Sequence, residues 1–108
     1  MRRFGQVIGL QPGAYATYVR AHAAVWPSVL GTITACNIRN YSIYALGEDR
    51  LFAYFEYVGE DFAADMARMA EDPETQRWWA EMEPLQAPLA ERAQGEWWMT
   101  LREVFHHD

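Results

Sequence analysis

The fold turns on the stretch Ile38-Arg-Asn-Tyr-Ser-Ile-Tyr-Ala-Leu46, Gly47-Glu48-Asp49, Arg50-Leu-Phe-Ala-Tyr-Phe-Glu-Tyr-Val58. Both flanks are rich in aromatic and β-branched side chains, which suit a pleated, half-buried surface. The Gly-Glu-Asp between them is turn chemistry, so the stretch predicts a β-hairpin. Upstream, Phe4, Gln6, Ile8 and Leu10 alternate with Gly5, Val7 and Gly9. That is the period of a strand, with glycines that admit close packing from above. Pro12 suits the first turn of a helix, where its missing N–H would have no partner in any case. Tyr15, Tyr18, Val19, His22 and Trp26 follow at three- and four-residue steps, one stripe of a helix running to about residue 25. Pro27 starts a second helical piece that carries Val29, Leu30, Ile33 and Thr34 and closes near Asn37.

Downstream of the hairpin, Asp61 is a plausible N-cap for a helix with Phe62, Met66, Met69 and Ala70, and Asp72-Pro73 opens another that holds Trp78, Trp79 and Met82. Pro84 and Pro88 bracket a loop reaching to Gly95, after which residues 97–105 alternate as a last strand. The order strand, helices, strand, strand, helices, strand is the split βαβ arrangement of the ferredoxin-like class. It predicts an α+β fold, a four-stranded antiparallel sheet with helices on one face, as a single domain over 1–108. The other sheet face would expose aromatic surface, and a second copy pressing sheet against sheet, a symmetric homodimer, is expected to cover it.

The composition excludes several classes of function. The 108 residues include 9 Arg, no Lys and 15 Asp or Glu, a formal charge of −6, and 51% are hydrophobic. Residues 1–47 carry +4 and no acid, and residues 48–108 carry −10, which reads as two faces of one fold. The arginines are scattered singly, so the basic footprint that nucleic acid requires is missing and no nucleic-acid partner is expected. No apolar run approaches the roughly 18 residues of a membrane span, and the N-terminus does not read as a secretory leader. The lone Cys36 cannot close an internal disulfide, so a cytoplasmic protein without a membrane partner is expected.

Of the three histidines, His106 and His107 lie beside the C-terminal Asp108, where a surface role is the plain reading. His22 points with the apolar side of its helix, as a hydrogen-bonded core histidine would. Tyr18, four residues earlier, sets a phenol beside the imidazole on one helix face. Two titratable groups facing one cavity are what general acid–base chemistry requires, and imidazole titrates near neutral pH. Trp78-Trp79 and Trp97-Trp98 are adjacent pairs whose side chains diverge, so each supplies one or two rings to any one pocket. Core packing would absorb most of the 16 aromatics. An indole nonetheless suits a ligand with apolar C–H faces and hydroxyl edges, such as a sugar.

Five segments then carry a resemblance: Tyr18-x-x-x-His22, Val25-Trp26-Pro27, Asn40-Tyr41-Ser42-Ile43-Tyr44, Gln76-Arg77-Trp78-Trp79, and Gly95-Glu96-Trp97-Trp98 with Glu103-Val104-Phe105-His106. In this order, from near the first residue to near the last, the chain resembles the L-rhamnose mutarotase family. The resemblance implies a dimeric α+β barrel and an isomerase that interconverts the α and β pyranose anomers of L-rhamnose, with no metal and no organic cofactor. It also implies His22 as proton donor, with Tyr18, Tyr41, Trp78 and Trp79 contacting the sugar. The residues themselves point to His22 and Tyr18 and are silent on Tyr41, which shares a strand face with Arg39 and Ile43 by simple alternation. Three other readings stand beside this one: a mutarotase for another 6-deoxy sugar such as L-fucose, a cofactor-free α+β barrel monooxygenase, and a non-catalytic small-molecule binding dimer in which His22 is simply buried.

Overall fold

Strand β1 (Arg2–Leu10) falls where the sequence predicts a strand, with residues 7–10 buried on both faces, and it pairs with β3, β4 and β5. The computed structural model describes residues 1–108. Helices α1 (Tyr15–His22) and α2 (Pro27–Ala35) lead to the hairpin of β2 (Ile38–Leu46) and β3 (Arg50–Tyr57). Helices α3 (Phe62–Glu71) and α4 (Pro73–Met82) follow, then a single 3₁₀ turn at Glu83–Leu85 and two short strands, β4 (Gln86–Ala87) and β5 (Met99–Leu101). The sheet runs β2-β3-β1, all antiparallel, and its fourth position is shared by β4, opposite Gly9–Leu10, and β5, opposite Gly5–Val7. This is the expected ferredoxin-like α+β order, curled into a half-barrel.

Alternation decides the two faces. Phe4, Gln6, Ile8 and Leu10 of β1 and Leu51, Ala53, Phe55 and Tyr57 of β3 lie on the helix side, with Phe4 opposite Phe55, Gln6 opposite Ala53 and Ile8 opposite Leu51. There Ile8, Leu10 and Leu51 pack with Tyr18, Val29, Trp78 and Met82. A second cluster gathers Cys36, Ile38, Phe55, Tyr57 and Met69, with Phe4 stacked on Phe55 and Phe62 at centroid distances of 4.8 and 4.6 Å. Each such buried side chain stabilises by about 1.5–3 kcal/mol. Burial therefore holds α1 and α2 in place, since neither has a side-chain N-cap. The later helices are capped as the sequence predicts: Asp61 accepts from the Ala64 N–H at 3.1 Å and Asp72 from the Thr75 N–H at 2.9 Å.

The outer face carries a row that crosses four strands, Tyr44, Phe52, Val7 and Met99, each in register with the next. Tyr54 and Leu101 extend it along the strands, and charged groups border it. Arg3 pairs with Glu103 at 3.0 Å, and Glu56 accepts from Tyr54 and Asn40 at 2.7 Å each.

Several boundaries differ from the sequence reading. Pro12 lies in a turn ahead of α1 because Gly13 takes a φ of +80°, which moves the helix start to Tyr15. Helix α1 stops at His22 rather than near residue 25, since Pro27 brings no N–H and holds Trp26 extended at ψ 130°. Val19, expected on the buried stripe, is exposed. The loop from Pro84 to Gly95 contains β4, which approaches β1 so closely that a Cβ on Gly9 would sit 2.7 Å from the Ala87 carbonyl oxygen. The last strand is three residues long instead of nine: β4 already occupies β1 at Gly9–Leu10, where residue 97 would have paired, and residues 102–105 run on without a ladder. Val104 and Phe105 beyond it are 88% and 81% exposed.

Candidate active site

A cavity of about 940 Å³ opens between the inner sheet face and the helices, within the size range of small-ligand sites. It brings together all five candidate residues, Tyr18, His22, Tyr41, Trp78 and Trp79, with Gln86 beside them. A smaller cleft of about 420 Å³ adjoins it across α1 and shares Tyr18 and His22.

The one-turn spacing on α1 does what the sequence suggests. The Tyr18 and His22 rings stack with centroids 4.1 Å apart, and Trp78 meets the imidazole edge-on at 5.3 Å. His22 Nδ1 lies 3.0 Å from the Tyr18 backbone carbonyl. A carbonyl only accepts, so Nδ1 carries the proton and the neutral ring keeps its lone pair on Nε2. Burial pushes the imidazole below its ordinary value of 6.5, against a smaller upward pull from that carbonyl. His22 is therefore a neutral base at pH 7. Tyr18 is pushed well above the usual phenol value, chiefly by burial and further by Tyr41 nearby. Its hydroxyl accordingly keeps its proton.

Tyr41 reaches the cavity by a route that alternation does not give. A bulge between Arg39 and Ser42, with Asn40 in the left-handed region at φ 51°, interrupts the pattern. The ring of Tyr41 consequently stands 5.6 Å from that of Phe55 on the inner face. Tyr41 is 43% accessible as a residue, and desolvation of its phenol raises it to about 12.

The two tryptophans of α4 diverge as adjacent helical residues do. Trp78 is 8% exposed and braces His22 and Trp26, while Trp79 is 39% exposed at the cavity wall. Gln86, which the sequence reading did not single out, is a buried polar residue whose amide reaches both Trp97 and Tyr18. No local signal marks it, because its contacts join segments 11 and 68 residues apart. No three His, Cys, Asp or Glu side chains converge on one point as a metal-holding group. No helix is long and apolar enough to cross a membrane.

Chemically, the site offers a neutral imidazole lone pair and a protonated phenol side by side, walled by aromatic rings. A family model described as L-rhamnose mutarotase matches residues 3–107. The L-rhamnose mutarotase of Opitutus terrae is 34% identical over 115 residues, with all of both chains covered. Among solved structures, the L-rhamnose mutarotase of Formosa agariphila superposes with a TM-score of 0.77 at 20% identity, over the whole of both chains. Tetracenomycin F2 cyclase of Streptomyces glaucescens, a type-II polyketide cyclase, superposes at 0.68 and 16% identity, covering 99% of this chain and 96% of its own. At these identities the two structures speak for the fold alone, which hosts more than one chemistry.

Proposed function

The chain belongs to the L-rhamnose mutarotase family, and from that premise we propose that it interconverts the α and β pyranose anomers of L-rhamnose with His22 and Tyr18 as the proton-transfer pair. The observation that carries the assignment of roles is the Nδ1 contact with the Tyr18 carbonyl. It directs the imidazole lone pair to Nε2, next to a phenol that holds its proton.

In the forward step, His22 Nε2 takes the proton of the anomeric hydroxyl and the C1=O double bond forms. The C1–O5 bond breaks, and the ring oxygen receives a proton from the Tyr18 hydroxyl. Rotation about C1–C2 presents the other face of the aldehyde, and the same transfers run in reverse. The imidazolium formed on the way is then the donor, returning its proton to O1 as the ring closes. Each well-placed group contributes on the order of 10²–10⁴-fold, and two suffice for a reaction that already proceeds in water. Tyr41 and Trp79 are assigned to the sugar's hydroxyls and to its C–H face and C6 methyl. Trp78 borders the sugar while bracing His22.

The reading predicts a pH profile. The base form of His22 is the active one, and a lowered imidazole value keeps it populated to more acid pH. The rate should be flat through neutrality and fall only on the acid side of the ordinary histidine range. Saturation transfer between the two anomeric protons of L-rhamnose, corrected for buffer catalysis at each pH, measures this. A rate that rises as pH falls through 6.5 would instead make imidazolium the starting acid.

The assembly we propose is a homodimer that buries Tyr44, Phe52 and Met99 of the outer row against its symmetry mate, beside a Val7 that is already buried within the single chain. An apolar centre bordered by the charges of Arg3, Glu56 and Glu103 has the anatomy of such an interface. We assign the protein to the cytoplasm, where a lone thiol such as Cys36 stays reduced.

A further inference from the structure

Gln86 sits on a two-residue strand with 7% of its surface exposed. Its backbone is pinned twice, by pairing with Leu10 and by the Gln11 side chain, whose amide donates to the Gln86 carbonyl at 3.2 Å. What remains is the direction of its own amide, and Trp97 decides it. An indole N–H can only donate, and Trp97 Nε1 lies 2.7 Å from the Gln86 side chain, so the atom it meets must be the amide oxygen. The NH2 end therefore faces the Tyr18 hydroxyl, at 3.5 Å. That contact is long, and it sets direction more than it adds energy.

Direction is what matters at this point. An amide NH2 has no lone pair to offer, so the Tyr18 oxygen can only accept from it, and the Tyr18 proton has to be used elsewhere. The open side is the cavity. We infer that Gln86 is a positioning residue that commits the Tyr18 hydroxyl to donate into the sugar site, its amide held in that sense by the indole N–H of Trp97. The result is a relay of fixed polarity, from the Trp97 N–H to the Gln86 oxygen, from the Gln86 NH2 to the Tyr18 oxygen, and from the Tyr18 O–H to the ring oxygen. It complements His22, whose polarity is fixed oppositely, as an acceptor, by the Tyr18 carbonyl. One residue of α1 thus orients the base through its backbone and serves as the acid through its side chain. The inference rests on the proposed roles of His22 and Tyr18 in anomer exchange.

The test is a double-mutant cycle on the intact protein, read as kcat and KM for L-rhamnose anomer exchange. Gln86→Glu keeps the shape and still accepts from Trp97, but its carboxylate also accepts from Tyr18 and draws the phenol proton away from the sugar. It should lower kcat by about 10²-fold with KM changed by no more than about twofold. Trp97→Phe keeps a ring in place and removes the N–H that fixes the amide; a loss of roughly tenfold is expected. On a Tyr18→Phe background neither change should alter kcat by more than about twofold, since the group they act through is gone. A merely structural role for Gln86 would not vanish on that background. Wild-type kcat in Gln86→Glu, or losses that multiply on the Tyr18→Phe background, would overturn the inference. If the buried carboxylate prevents folding, the Trp97→Phe and Tyr18→Phe cycle decides by the same criterion. Failure of the underlying reading looks different: there the wild type does not accelerate exchange, or Tyr18→Phe retains the full rate.

Discussion

Replacing His22 with alanine is expected to slow protein-catalysed exchange of the L-rhamnose anomers by about 10²–10⁴-fold, the usual contribution of one general acid–base group. The effect is large because the imidazole is committed before the sugar arrives. The Tyr18 carbonyl holds Nδ1, the Tyr18 ring stacks on one face, and Trp78 closes an edge. A side chain at position 22 without a lone pair to replace Nε2 leaves the anomeric proton to water. The fold should survive, because the imidazole is only half-buried and belongs to neither buried cluster. The vacated space next to Tyr18 should admit free imidazole, so millimolar imidazole is expected to restore part of the rate in His22→Ala and leave the wild type unchanged. Exchange measured with and without imidazole checks both halves. An alanine variant at the wild-type rate would remove His22 from the chemistry.

Phe52→Asp is expected to convert a dimer into a monomer. Phe52 stands mid-row on the outer face, in register with Tyr44 on one side and Val7 on the other. In a two-fold interface each residue meets its own symmetry region, so a single substitution acts twice. A carboxylate in the apolar centre would lose its hydration without gaining a partner, because Arg3 already pairs with Glu103 at the border. The dissociation constant should rise by at least about 10²-fold, since each buried, unpaired charge costs several kcal/mol. Sedimentation velocity at micromolar concentration reads the outcome directly. A wild type that sediments as a monomer, or a Phe52→Asp variant that remains dimeric, would contradict the proposed assembly.

The hairpin was legible because its signal is local. Aromatic and β-branched runs flank a Gly-Glu-Asp turn, and the strands fall at Ile38–Leu46 and Arg50–Tyr57. Asp61 and Asp72 were legible for the same reason, as caps act within three residues. The Tyr18 and His22 stacking follows from helical spacing alone. Tyr41 did not follow, because its place depends on the bulge at Asn40, and simple alternation would have grouped it with Arg39. Its proposed contact with the sugar came only from the resemblance. Strand β4 and Gln86 were hidden altogether. Two residues carry no period, and their pairing exists because Gly9, some 80 positions away, leaves room for the Ala87 carbonyl. The C-terminal segment shows the converse: residues 97–105 alternate well, yet only Met99–Leu101 find a ladder, so alternation by itself does not make a strand.

The uneven charge along the chain also resolves into local tasks. Asp61 and Asp72 cap helices, Asp65 and Glu74 pair with Arg68 and Arg77 one turn on, and Glu103 reaches Arg3 across the sheet. None of these acids lines the cavity, where Glu83 is the one carboxylate.

Magnetisation exchange between the α and β anomeric protons, with catalytic amounts of the wild type and L-rhamnose, L-fucose or D-glucose in turn, bears on the proposed activity most directly. Acceleration far above the buffer rate is expected for L-rhamnose, with smaller effects for the other two sugars. No acceleration for L-rhamnose, or a faster exchange of L-fucose, would contradict it.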